Sequence, residues 1–132
     1  MRLLLDTHII LWAITDNEKL PNLARKLIID ESNDVYFSLA SVWEVEIKHN
    51  LGKLPMSGRD LYGDCLSAGF TPCKIEMDHI AALASLKRSE DAPKHNDPFD
   101  RMLIAQAKVD NMKLLTHDSL IPDYNEECII SV

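Results

Sequence analysis

Arg2–Thr15 reads RLLLDTHIILWAIT, and the change of pattern at Asp6 decides the fold class. Before Asp6 the residues are consecutively apolar, as in a strand buried on both faces. After it, "HIILWAIT" reads as a short helix. A buried strand that ends on an acid and runs into a helix is the first step of an alternating β–α chain.

The alternation continues to the end of the sequence. "PNLARKLIIDE" (21–31) reads as a helix with Pro21 at its start and Leu23, Leu27 and Ile28 on one face. "VYFS" (35–38) is rich in strand formers. "LASVWEVEIKHNLGKL" (39–54) is a helix with Gly52 as its stop signal. "GRDLYGDCLSAG" (58–69) is a helix weakened by Gly63. "FTPCKI" (70–75) is a short strand that its proline confines to an edge. "MDHIAALASLKRSE" (77–90) predicts one continuous helix through Ile80, Leu83, Ala84 and Leu86–Lys87. The polar run "KRSEDAPKHND" (87–97) is a loop. In "HNDPFDRMLIAQA" (95–107), Asp97 is placed as an N-cap and Pro98 at the first helical position. Asp100 follows in the first turn, where its charge suits the helix dipole, and Leu103, Ile104 and Ala107 share a buried face. "MKLLT" (112–116) and "CIISV" (128–132) are strands. This order implies an α/β fold: a parallel or mostly parallel sheet with helices on both faces, in one domain over residues 1–132.

Composition sets limits on function. An apolar fraction of 46% in 132 residues supports a real core and argues against disorder. The N-terminus is too short and too interrupted for a signal peptide, and no apolar run approaches a membrane span. A soluble, cytoplasmic protein with no membrane association is expected. Cys65, Cys73 and Cys128 form no paired motif and read as small buried hydrophobes. The net charge of −7 opposes broad attraction to nucleic acid. That objection weakens if several acids share one metal: setting four of the 21 acids aside leaves 17 against 14 basic residues.

Four acids fall where ligands collect in open α/β sheets, beyond the carboxyl ends of strands. Asp6 follows the first strand. Asp118 follows "KLLT" by two residues. Glu44 lies in the first turns after "VYFS", and Asp100 opens a helix at a neighbouring loop. Each has an ordinary use on its own. Asp6 could cap a helix, Ser41 and Glu44 have the spacing of a capping box, Glu44 could pair with Lys48, and Asp118 could start a turn. Together at one rim, four carboxylates repel. A hard divalent cation, Mg²⁺ or Mn²⁺, relieves that conflict. The histidines His8, His49, His79, His95 and His117 show no metal-ligand spacing, although His117 lies close enough to Asp118 to reach the site. Glu46 reads as a solvated helix residue, and Trp12 and Trp43 as core. No Gly-rich phosphate loop and no G-x-S-x-G elbow is present. Lys48, Lys53, Lys94 and Arg101 lie near the acids in sequence and could contact phosphates.

"LLLDTHIILWAI", "SLASVWEVEIKHNLGKL", "HNDPFDRMLIAQA" and "LLTHD", in this order, resemble the PIN-domain family, and more narrowly the toxin ribonucleases of VapBC-type toxin–antitoxin modules. The resemblance implies an α/β/α sandwich and a Mg²⁺- or Mn²⁺-dependent endoribonuclease acting on RNA. By motif position its catalytic and metal-binding acids are Asp6, Glu44, Asp100 and Asp118, with Asp97 as N-cap and outer ligand and Thr7 and Thr116 orienting the acids. It further implies a cognate antitoxin protein as partner. Apolar helix residues in "LIID" and "LYGDCL" add the expectation of a homodimer. Two rivals remain open. One is a catalytically silent scaffold of the same fold. The other is a phosphatase using Asp6 as nucleophile, against which His8 stands where such enzymes carry a second aspartate.

Overall fold

The computed structural model describes residues 1–132. Five strands, β1 (Arg2–Leu5), β2 (Asp34–Ser38), β3 (Thr71–Cys73), β4 (Lys113–Thr116) and β5 (Ile129–Ser131), form one sheet in the order β3-β2-β1-β4-β5. Every neighbouring pair is parallel. Six helices connect them: α1 (Thr7–Ile14), α2 (Asn22–Ile29), α3 (Leu39–Asn50), α4 (Gly58–Ser67), α5 (Met77–Ala82) and α6 (Pro98–Val109). The expected α/β architecture is present, and the sheet is wholly parallel.

The apolar run of β1 is continuous because both faces of the sheet are covered. Leu3 and Leu5 pack into one core with Ile9, Ile10, Phe37, Val45, Leu61 and Leu115. Leu4 points the other way, among Leu103, Ile104, Ala107, Leu114 and Tyr124. Adjacent residues of one strand therefore serve opposite layers, as the pleat requires. Each of these fully buried leucines contributes about 1.5–3 kcal/mol by leaving water. The strand order also creates a switch point. The chain leaves β1 towards β2 and β3, then returns to lay β4 and β5 on the other side. The crevice beyond the carboxyl ends of β1 and β4 is where such sheets place ligands.

Several local expectations need correction. The helix expected over 77–90 stops at Ala82 and tightens into a 3₁₀ turn, Leu83–Ser85. The Ser85 hydroxyl donates to the Ala82 carbonyl at 2.7 Å, and Leu86 turns extended, which buries its side chain. Pro21 does stand at the start of α2, as its N-cap, but Leu23 is half exposed while Ala24 fills the core. Trp43 is not a core residue: it is 60% exposed, with its ring T-shaped to that of Phe99 at a separation of 5.3 Å. Ser41 makes no capping box. Ser38 is the N-cap of α3, accepting from the Ala40 N–H at 2.9 Å, so Ser41 and Glu44 lie one turn too late for that role. Glu46 is not merely solvated, since its Oε1 accepts the Gly58 N–H at 3.0 Å and ties α4 to α3. At that contact a Cβ on Gly58 would stand 2.7 Å from the Val42 carbonyl oxygen, so only glycine fits. Gly52 takes φ +75° just past α3, as its reading as a stop signal requires. All three cysteines are free; Cys65 and Cys73 are buried and Cys128 is partly so.

A candidate active site at the carboxyl edge of the sheet

Asp6 is built into the switch point by both neighbouring strands. Its N–H bonds the Leu115 carbonyl at 3.0 Å, continuing the β1–β4 ladder. As N-cap of α1 it accepts the Thr7 N–H on Oδ1 at 2.8 Å, and on Oδ2 it accepts the Thr116 hydroxyl at 2.8 Å. Only 3% of the residue is exposed. Burial pushes its carboxyl above the usual range, the bonds from Thr116 and Thr7 oppose this, and Asp118 adds to it.

Thr116 carries the connection further. The Asp118 N–H donates to the Thr116 hydroxyl oxygen at 3.0 Å, and Asp118 Oδ1 accepts the Leu120 N–H at 2.7 Å. Asp118 does start a turn, then, but that turn opens beside Asp6. On the other side of β1, Thr7 Oγ1 donates to Glu44 Oε1 at 2.8 Å and lies 2.9 Å from the Ser41 hydroxyl. Glu44 is buried, and its Oε2 receives Lys48 Nζ at 2.9 Å from the next turn of α3.

Asp100 completes the group. Asp97 caps α6, its Oδ1 accepting the N–H groups of Phe99 at 2.9 Å and Asp100 at 3.2 Å. Asp100 is therefore not needed to cap the helix. Its carboxyl is pushed up to about 8, first by burial and then by the charges of Asp6, Asp97, Asp118 and Glu44. One protein group meets it, His95, whose Nε2 stands 3.0 Å from Oδ2. His95 is the site residue that sequence reasoning missed. It precedes Asp100 by five residues, on the irregular segment that leads into α6, a spacing with no periodic signal.

The four acids thus share one edge, and Asp100 feels the charges of the other three. In the arrangement seen, no three His, Cys, Asp or Glu side chains converge closely enough to share a metal ion. Each carboxylate is turned to a protein donor instead: Asp6 to Thr7 and Thr116, Glu44 to Thr7 and Lys48, Asp100 to His95, and Asp118 to Leu120. The donor chemistry fits a hard divalent cation, because every oxygen is a carboxylate oxygen and only Lys48 offsets the charge directly. His117 stays exposed and bonds Val132 O through Nδ1 at 2.6 Å, while His8, Trp12, His117 and Asp118 line a shallow cavity of about 230 Å³. Arg101 is committed inward, to Tyr124 and to the Leu83 carbonyl. Lys53 and Lys94 are exposed.

Known proteins place this fold. No curated protein matches the chain in sequence. Among solved structures, a chain of VapBC2 from Rickettsia felis, crystallised with a DNA fragment from their promoter, superposes with a TM-score of 0.68 at 16% identity. That match covers 100% of this chain and 98% of that one. A chain of FitAcB from Neisseria gonorrhoeae superposes with a TM-score of 0.61 at 18% identity, covering 98% and 96% respectively. Likenesses at such identities speak for the fold alone. The family model of the PIN domain matches residues 3–127, and the chain belongs to the PIN domain family.

Proposed function

We propose that this protein is a Mg²⁺- or Mn²⁺-dependent endoribonuclease, the cytoplasmic toxin of a VapBC-type toxin–antitoxin pair, acting as one domain over residues 1–132. Its catalytic and metal-binding acids are Asp6, Glu44, Asp100 and Asp118. The observation that carries the reading is the Asp100 carboxyl at the switch point, pushed up to about 8 first by burial and then by the charges of Asp6, Asp97, Asp118 and Glu44. Burying carboxylates against one another is costly in a fold that gains nothing else from it. PIN domains are in general divalent-metal-dependent nucleases, which agrees with that chemistry.

The residues divide the work. Thr7 and Thr116 fix Glu44 and Asp6 by hydrogen bonds, so the acids keep their places without a cation. Lys48 holds Glu44 and offsets its charge. When bound, a divalent ion supplies positive charge against the phosphoryl oxygens and lowers the pKa of water. Exposed Trp43 and Ile47 on α3 and Leu51 just past its end, spaced i, i+4 and i+8, form a stripe beside Glu44, which suits an apolar segment of an antitoxin. VapBC2 is solved as an assembly on its promoter, which favours such a partner here. Exposed Ile29, Tyr62 and Leu66 are the residues offered to a second copy of the chain.

The test is cleavage of single-stranded RNA by the purified protein in Mn²⁺ or Mg²⁺. Cleavage that EDTA stops and added cation restores is expected. Cleavage indifferent to EDTA, or none in any cation, overturns the enzyme reading, and the second result favours a silent scaffold.

A further inference from the structure

We propose that His95, seated by Tyr124, is a positioning residue that fixes which oxygen of Asp100 is offered to a cation. The inference rests on the reading of the acids as a cation site.

The geometry is a connected set of hydrogen bonds that seats the His95 ring. Arg101 Nη1 donates to the Tyr124 hydroxyl at 3.3 Å. That hydroxyl donates to the His95 carbonyl oxygen at 3.1 Å and lies 2.9 Å from His95 Nδ1. The ring so seated holds Nε2 3.0 Å from Asp100 Oδ2, and with hydrogen on Nε2 it donates to that oxygen. Oδ2 is thereby engaged, and Oδ1 is the oxygen left to a cation. Nothing in this set is loose. His95 is buried, and its ring meets that of Tyr124 edge-on at 5.5 Å. The Tyr124 ring is bracketed by the guanidinium groups of Arg88 at 5.0 Å and Arg101 at 5.7 Å. Arg88 in turn bonds the Pro93 and Leu120 carbonyls and Asp123, clamping the loop that carries His95 to the 3₁₀ turn Ile121–Tyr124.

A purely structural tie explains this less well. Asp97 already caps α6, and Arg88 already pins the loop. Neither job needs an ionisable carboxyl buried among other acids. A carboxylate that must be held in one orientation for a cation does need a rigid donor on its far oxygen, and loss of such a donor typically weakens metal binding about 10–100-fold.

Calorimetric titration of Mn²⁺ into the full-length protein, with thermal melting of each variant alongside, tests this. His95→Phe is expected to keep a cooperative melt and to bind Mn²⁺ about 10–100-fold more weakly. His95→Gln, whose amide N–H can still reach Asp100, should recover most of the affinity. Tyr124→Phe should weaken binding less, in the same direction. If His95→Phe fails to fold, Tyr124→Phe decides: weaker Mn²⁺ binding with an intact melt supports the inference, and unchanged binding overturns it. A wild-type protein that binds no Mn²⁺ overturns the cation site itself, and this role with it. Wild-type affinity in both His95→Phe and Tyr124→Phe overturns the positioning role alone.

Discussion

Thr116 donates its hydroxyl hydrogen to Asp6 at 2.8 Å, across 110 residues of chain. The bond joins the ends of β1 and β4, and the same hydroxyl oxygen accepts the Asp118 N–H. One side chain thus sets the spacing of two acids. Thr116→Val keeps the shape and removes both roles. Leaving Asp6 Oδ2 buried without a donor should cost about 1–3 kcal/mol, read as a lower denaturant midpoint with an unchanged slope. Cation-dependent RNA cleavage should fall with it.

In EDTA, the Asp100 carboxyl dictates a pH dependence of stability. Its folded-state value, about 8, lies above the ordinary carboxylate range. The folded state therefore binds this proton more tightly than the unfolded chain does. The stabilisation is fully present below about pH 4 and is lost as pH rises through 8. Urea unfolding in EDTA should show Asp100 opposing stability over that window, and Asp100→Asn should flatten the slope. An unchanged slope in Asp100→Asn contradicts the assignment of the strain to this residue.

Gly58 tests the packing of α4 on α3. Gly58→Ala drives a methyl group to 2.7 Å from the Val42 carbonyl oxygen and 2.9 Å from Glu46 Cβ. Backbone cannot yield cheaply there, so a loss of about 1–3 kcal/mol is expected. Gly63→Ala meets nothing within 4 Å and lies inside a helix. It should stabilise by about 0.5–1 kcal/mol. Chemical denaturation of the two variants should move in opposite directions.

The exposed stripe on α3 predicts a separation of binding from stability. Trp43→Ser and Leu51→Ser remove surface that is 60% and 64% exposed, so melting should shift by no more than about 0.5 kcal/mol. Under the proposed toxin function, association with the antitoxin partner, measured by calorimetry, should weaken. Full retention of binding would remove this face from the partner contact.

The sequence made the alternation legible because apolar runs, caps and stop glycines are local signals. "RLLL", "KLLT" and the Asp97–Pro98 start each carry their own explanation, and each element lies where its pattern indicated. The α5 helix misled because its tail is apolar at helical spacing, while tertiary demands on Leu86 and Arg88 broke it at Ala82. Trp43 misled because an aromatic ring in a helix says nothing about which neighbour will cover it. Among the candidate site residues, Asp6 and Asp118 could be read from their places after strands, whereas Thr7 and Thr116 entered only through the family motifs. His95, Tyr124 and Arg101 are joined only through space, by a loop and a 3₁₀ turn that no periodicity describes.

The most direct test of the central claim compares RNA cleavage in saturating Mn²⁺ by the wild type and by Asp6→Asn, Glu44→Gln, Asp100→Asn and Asp118→Asn, with thermal melts of each. Amides preserve size and most hydrogen bonding while removing charge. If the four acids form one cation site, each variant stays folded, Asp100→Asn melts no lower than the wild type in EDTA, and cleavage is lost in all four. Folded Asp6→Asn and Asp100→Asn proteins that cut RNA at the wild-type rate would contradict it.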